Sequence, residues 1–151
     1  MEWRDVRLIE DRRISELVSL IKEDLEGAKV QDGTRETARG CVIFTDFRGS
    51  VHWIQDVHSG GIPNTIEIGG RTVRIEKTSL TGNTDVEEAK RRIIRCKQAS
   101  MKDQTYPILI CTSAGEVGLD MPWATLMVHW DLHPNPQRME QRAWRLDRRI
   151  R

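Results

Sequence analysis

A chain of 151 residues, 38 % hydrophobic and 31 % charged, has the size and mixture of a single globular domain. Its formal net charge of +1 excludes a uniformly basic nucleic-acid coat, though not a local basic face. No run approaches the roughly 20 apolar residues that a membrane-spanning helix requires, and the opening MEWRDVRLIEDRR is charged where a signal peptide is apolar, so no membrane partner is expected.

The first periodic segment is Ile14–Glu26, where Ile14, Leu17, Val18, Ile21 and Leu25 recur at three-and-four spacing and predict an amphipathic helix ending at Gly27. Gln31–Gly40 is polar and aperiodic. Residues 1–40 are therefore expected to be a helix and linker leading into a domain over 41–151. Cys41–Thr45 (CVIFT) is an apolar run of the kind found in buried parallel strands. Arg48–His58 follows as a helix with Val51, Ile54 and Val57 on one face. Over 64–77, Ile66 and Ile68, then Val73 and Ile75, alternate around Gly69-Gly70, the pattern of a β-hairpin. A strand at Thr78–Thr81 leads to Gly82-Asn83, and Thr84 or Asp85 can cap a helix to about Gln98. Pro107–Cys111 and Thr125–Trp130 are two further buried strands, and Gln137–Arg148 closes the series as a helix after Pro134 and Pro136. Strands alternating with helices predict an α/β fold with a mostly parallel sheet covered on both faces.

In such sheets ligands collect outside the carboxyl ends of the strands. Those ends carry Asp46-Phe47-Arg48-Gly49-Ser50, then Gly82-Asn83-Thr84, then Thr112–Asp120, and finally Asp131 with the helix bearing Gln141, Arg142, Arg145 and Arg148. Thr112–Asp120 (TSAGEVGLD) has small residues that let backbone amides approach an anion, and Asp120 suits a sugar hydroxyl; an ordinary glycine turn has the same composition. Arg142, Arg145 and Arg148 are three apart and share one side of a helix, either as a phosphate-binding row or as a solvated basic face.

Other residues admit a functional and a structural reading. His52, His58, His129 and His133 lack metal-ligand spacing, so no metal site is expected. Trp53, Trp123 and Trp130 could stack on bases or pack in the core. Lys90, Arg91, Arg92 and Arg95 follow Asp85, Glu87 and Glu88, an arrangement that suits a solvated helix and its dipole. Cys41, Cys96 and Cys111 are far apart and without Cys-x-x-Cys spacing, which fits reduced thiols in a cytoplasmic protein.

Taken in order, these segments resemble the motifs of an Snf2-type superfamily 2 helicase. Cys41–Phe47 (CVIFTDF) is similar to motif IV, Ser79–Arg92 (SLTGNTDVEEAKRR) to the block that follows it, and Thr112–Asp120 to motif V. Val128–Asn135 (VHWDLHPN) is similar to the next conserved segment, and Glu140–Arg148 (EQRAWRLDR) to motif VI in the wording of the RapA-like branch. The resemblance implies a RecA-like three-layer α/β/α sandwich, with the 64–77 hairpin as a small insertion. It implies that Arg142, Arg145 and Arg148 are arginine-finger candidates, and that Gly118, Asp120 and Gln141 lie beside the nucleotide. It also places Asp46, Phe47, Arg48, Gly82, Asn83, Thr112 and Ser113 along nucleic acid, with double-stranded DNA as the expected track. Two features depart from the pattern. Trp144 replaces the motif VI glycine, and the sequence ends after motif VI, so the last strand of the fold is expected to be missing.

No Gly-x-x-x-x-Gly-Lys-Ser/Thr loop occurs, since Glu76-Lys77-Thr78-Ser79 lacks its glycine, and no Asp-Glu pair follows a strand to hold magnesium. ATP and Mg2+ are thus expected to be held mainly by a separate N-terminal RecA-like ATPase domain, leaving the isolated chain inactive. Two functions compete: the second motor domain of an ATP-dependent helicase or translocase, and a non-catalytic nucleic-acid- or protein-binding remnant of one. A small-molecule enzyme is disfavoured, because no nucleophile–base pair is evident.

Overall fold

The computed structural model describes residues 4–7, 13–112 and 121–131. Among the described residues, eight strands and three α-helices run in the order β1 (Arg4–Arg7), α1 (Arg13–Glu26), β2 (Val30–Gln31), β3 (Thr34–Arg35), β4 (Cys41–Thr45), α2 (Arg48–Gln55), β5 (Thr65–Ile68), β6 (Arg71–Leu80), α3 (Val86–Met101), β7 (Thr105–Thr112) and β8 (Leu126–His129). Six strands form one sheet in the order β1-β8-β4-β7-β6-β5. Every pairing in it is parallel except the β5–β6 hairpin at one edge.

Alternation along the central strands divides the interior into two layers. Cys41 and Ile43 of β4, Ile108 and Ile110 of β7, and Leu126 and Val128 of β8 join α1 (Leu17, Ile21, Leu25) and α2 (Val51, Ile54). The intervening Val42, Phe44, Leu109, Cys111 and Met127 face the other way, onto Cys96 of α3 and Met121, Trp123 and Ala124. All of β4 and β7 is buried, which explains their near-continuous apolar sequence. This is the mostly parallel sheet, covered on both faces, that the order of elements predicted, and the three-layer sandwich that the resemblance implied.

Several boundaries differ from the sequence expectation, each for a local reason. The 64–77 hairpin and the strand after it are one: β6 runs unbroken from Arg71 to Leu80, pairing with β5 at its start and with β7 from Arg74 onward. Gly69 and Gly70 turn this hairpin with φ of 53° and 79°, a left-handed pair that side chains resist. The helix over 48–58 stops at Gln55. The Asp56 carboxylate there accepts from the His58 amide (3.0 Å) and the Ser59 hydroxyl (2.8 Å), drawing 57–59 into a 3₁₀ turn.

The polar stretch 31–40 is not a bare linker. It forms the β2–β3 hairpin and buries Arg35, whose guanidinium donates to the carbonyls of Ser100 (3.0 Å), in the last turn of α3, and Thr105 (2.5 Å), the first residue of β7. Burial brings this arginine down to about 10, yet the ring of carbonyls keeps it a hydrogen-bonded cation. Residues 4–7, where the sequence suggested no strand, pair with β8 in parallel from Arg4–Leu126 to Arg7–His129. The side of β8 away from β4 is thereby occupied. The helix expected over 137–148 lies outside the described residues.

At the amino ends of the strands a polar cluster ties α1 to the sheet. Asp24 accepts from the Tyr106 hydroxyl (2.7 Å) and the Thr125 hydroxyl (2.5 Å), and its second oxygen accepts from Arg39 (3.2 Å). Gly40 lies beside this cluster, donating its amide to Thr125 (3.1 Å). A Cβ there would sit 2.7 Å from the Trp123 ring, so the close approach requires glycine.

Candidate functional site

The register brings the carboxyl ends of four parallel strands level. Thr45, the last residue of β4, pairs with Thr112, the last of β7, while Leu80 at the end of β6 pairs with the preceding Cys111. On the other flank Phe44 pairs with His129, the last residue of β8. The segments beginning at Asp46, Thr81 and Trp130 therefore leave the sheet along a single edge, the one that the strand-end argument singled out.

Two turns on this edge are well fixed. After β4, the Asp131 carboxylate accepts from the Thr45 hydroxyl (2.5 Å) and from the Asp46 amide (2.9 Å), while the Phe47 amide turns back to the Thr45 hydroxyl (3.4 Å). The Trp130 amide adds a bond to the Phe44 carbonyl (2.8 Å). Phe47 and Arg48 consequently project from a braced turn: Phe47 is 62 % exposed, and Arg48 opens α2. After β6, the Thr81 amide donates to the Thr84 hydroxyl (3.0 Å) and the Asn83 amide to the Thr81 hydroxyl (3.3 Å). That closure leaves Gly82 and Asn83 exposed at the tip.

Of the expected nucleic-acid residues, Asp46, Phe47, Arg48, Gly82, Asn83 and Thr112 thus lie at the ends of adjacent strands. Thr112 differs from the rest in being buried, with 7 % exposure. Ser113, Gly118, Asp120, Gln141, Arg142, Arg145 and Arg148 lie outside the described residues, as does His133. Lys77, in the segment that superficially suggested a phosphate loop, is held away from this edge by the Ile62 carbonyl (2.7 Å) and Asn64 (3.0 Å), and burial pulls its ammonium below the usual lysine range.

The charged row on α3 is largely paired within itself. Arg91 and Arg92 both contact Glu88, at 2.7 and 3.1 Å, and Lys90 contacts Glu87 at 3.5 Å. Hydrogen bonds from Arg91 and then Arg92 hold the Glu88 carboxyl below the usual carboxylate range. Arg92 also donates to the Ser79 carbonyl (2.5 Å), so this arginine of the Ser79–Arg92 block fastens α3 to β6.

The three central tryptophans separate in role. Trp123 and Trp130 are buried, whereas Trp53 on α2 is 42 % exposed, its ring 5.9 Å from that of Trp130. His129 is buried and stacks on Phe44 with ring centroids 6.1 Å apart, while His52 and His58 are exposed. Among the described residues, no three His, Cys, Asp or Glu side chains are grouped to hold a metal ion, and no helix is long and apolar enough to cross a membrane.

Asp131 is the residue whose role sequence reasoning missed. It stood in a recognised segment, but nothing in the sequence indicated that its carboxylate braces the turn after β4.

Two comparisons relate the chain to known proteins. The family model described as "Helicase conserved C-terminal domain" matches residues 34–149. The chain is also 26 % identical, over 152 aligned residues, to the protein named "DEAD-box ATP-dependent RNA helicase FANCM" of Arabidopsis thaliana. The alignment takes in 97 % of this chain but 11 % of that protein, so the chain spans about a ninth of its relative's length.

Proposed function

Because the chain belongs to the helicase conserved C-terminal domain family, we propose that it is the second motor domain of an ATP-dependent helicase or translocase, lending a nucleic-acid track and arginine fingers to a companion N-terminal RecA-like ATPase domain. The observation that carries this reading is the level edge: two braced turns, after β4 and β6, present Phe47, Arg48, Gly82 and Asn83 from adjacent parts of one sheet. Exposed backbone and arginine at strand ends suit contacts to phosphates, which position a protein on nucleic acid without reading its sequence.

ATP and Mg2+ belong mainly to the companion domain, which brings the phosphate loop and the metal carboxylates; Gly118, Asp120 and Gln141 would meet the nucleotide from this side. Arg145 is the leading finger, with Arg142 and Arg148 flanking it. Charge on a transferring phosphoryl group is what such a guanidinium stabilises. The Snf2-like motif wording favours double-stranded DNA as the track, whereas the relative's printed name points to RNA.

The test is ATP hydrolysis by this chain combined with its companion domain, with DNA and RNA duplexes supplied in parallel. Hydrolysis stimulated by nucleic acid and reduced about 10³–10⁵-fold in Arg145→Ala supports the motor reading. Full activity in the variant removes the finger assignment. Trp144, in place of the motif VI glycine, favours a second reading, a binding module without energy coupling. Salt-dependent nucleic-acid binding with no stimulated hydrolysis would establish that reading instead.

A further inference from the structure

An open pocket of about 330 Å³ lies beside the braced turn, lined by Arg13, Gly49, Ser50, Trp53 and Trp130. Three elements build it. Arg13 is the first residue of α1, Trp130 follows β8, and Gly49, Ser50 and Trp53 share one face of α2 through three-and-four spacing. The Trp53 and Trp130 rings meet at 50°, an open wedge, and the Arg13 guanidinium lies over Trp130 at 5.0 Å. On the same face of α2 as Trp53, the backbone at Gly49 faces open space, since a Cβ there would meet nothing within 4 Å.

These walls suit a flat, π-rich guest. A half-exposed indole offers a stacking face, a guanidinium adds a planar cation, and a serine hydroxyl offers a hydrogen bond to a ring edge. The pocket's neighbour favours one guest in particular. Arg48 and Phe47, the residues proposed to run along nucleic acid, immediately precede Gly49 and Ser50 on the same turn of chain. A strand whose phosphates pass Arg48 therefore carries its bases within reach of the wedge.

We propose that this pocket receives one unpaired nucleobase, stacked on Trp53, from the strand whose phosphates pass the start of α2. The proposal rests on the nucleic-acid reading above and adds to it a site that senses unpaired bases. It gives the domain a preference for places where a duplex is opened.

The experiment uses the 151-residue chain and three fluorescently labelled DNA probes: a duplex with a short single-stranded gap, the same duplex with abasic sugars throughout the gap, and a fully paired duplex. Wild type is expected to bind the intact gap about tenfold more tightly than the abasic gap, a modest return for one stacked base. Trp53→Ala should lose that discrimination and Trp53→Phe should keep most of it. Gly49→Leu, which adds bulk at a residue lining the pocket, should lower it as well. Equal wild-type binding to the intact and abasic gaps would overturn the base pocket and leave the phosphate track standing. Absence of binding to all three probes would overturn the track as well. Discrimination that survives in both Trp53→Ala and Gly49→Leu would place base recognition elsewhere.

Discussion

Asp131 shows how one carboxylate can decide the shape of an edge. Its oxygen satisfies both the Thr45 hydroxyl and the Asp46 amide, so the chain leaving β4 has a single direction. Asp131→Ala removes that acceptor from a half-buried donor pair, at a cost of about 1–3 kcal/mol, and frees Phe47 and Arg48 from their bracing. Weaker nucleic-acid binding in Asp131→Ala, restored in Asp131→Asn because an amide oxygen accepts the same two bonds, is the expected outcome in a binding titration. Tyr106 carries a pH prediction. Burial, reinforced by the neighbouring Asp24 carboxylate, raises its hydroxyl well above the usual phenol range. A group raised in the folded state contributes stability that is intact below its unfolded value, about 10, and is lost as pH climbs past it. The chain has a single tyrosine, so phenolate absorbance in an alkaline titration should stay flat through pH 10 and then rise together with loss of circular dichroism. A phenolate that forms while the fold is intact would contradict the buried Tyr106–Asp24 bond.

At the scale of elements, legibility followed burial. β4, β7 and β8 stand out in the sequence because they are covered on both faces and leave no room for polar alternation. β1 does not, because Arg-Asp-Val-Arg offers one apolar residue and the charges typical of an edge strand. The β2–β3 hairpin was hidden for a related reason: its anchor is the guanidinium of Arg35, and a buried arginine bonded to backbone carbonyls looks like linker composition. The strand-end residues of the site were legible because their positions follow from the parallel order of the sheet. The Thr45–Asp131 bond was not, since it joins residues 86 apart that only the β4–β8 pairing brings together. Attachment of α1 is similarly a tertiary matter. Asp24→Ala removes the acceptor shared by Tyr106, Thr125 and Arg39, and a loss on the order of 3 kcal/mol in denaturant unfolding is expected. A change below about 0.5 kcal/mol, ordinary for a surface substitution, would show that apolar packing alone holds the helix.

For the molecule as a whole, the two layers on either side of the sheet carry separate reporters. Cys41 lies in the layer with α1 and α2, and Cys96 and Cys111 lie in the layer with α3, all three buried. Burial raises the Cys41 thiol well above its usual range and pushes Cys96 up to about 12, so neither offers a thiolate near neutral pH. All three should resist an aromatic disulfide reagent in the native protein and become reactive together across a denaturant transition. Earlier reaction of Cys96 than of Cys41 would show that α3 opens independently of the rest.

The pairing of β1 with β8 has a consequence of another kind. Arg4 finds its neighbour at Leu126, across nearly the whole described length of the chain. During synthesis β1 is made well before β8, the strand it pairs with among the described residues. Contacts of such long sequence separation close slowly, and a waiting edge is open to the wrong partner. The Arg-Asp-Val-Arg composition suits that interval, because like charges on neighbouring copies discourage strand-to-strand association while the rightful neighbour is still being made.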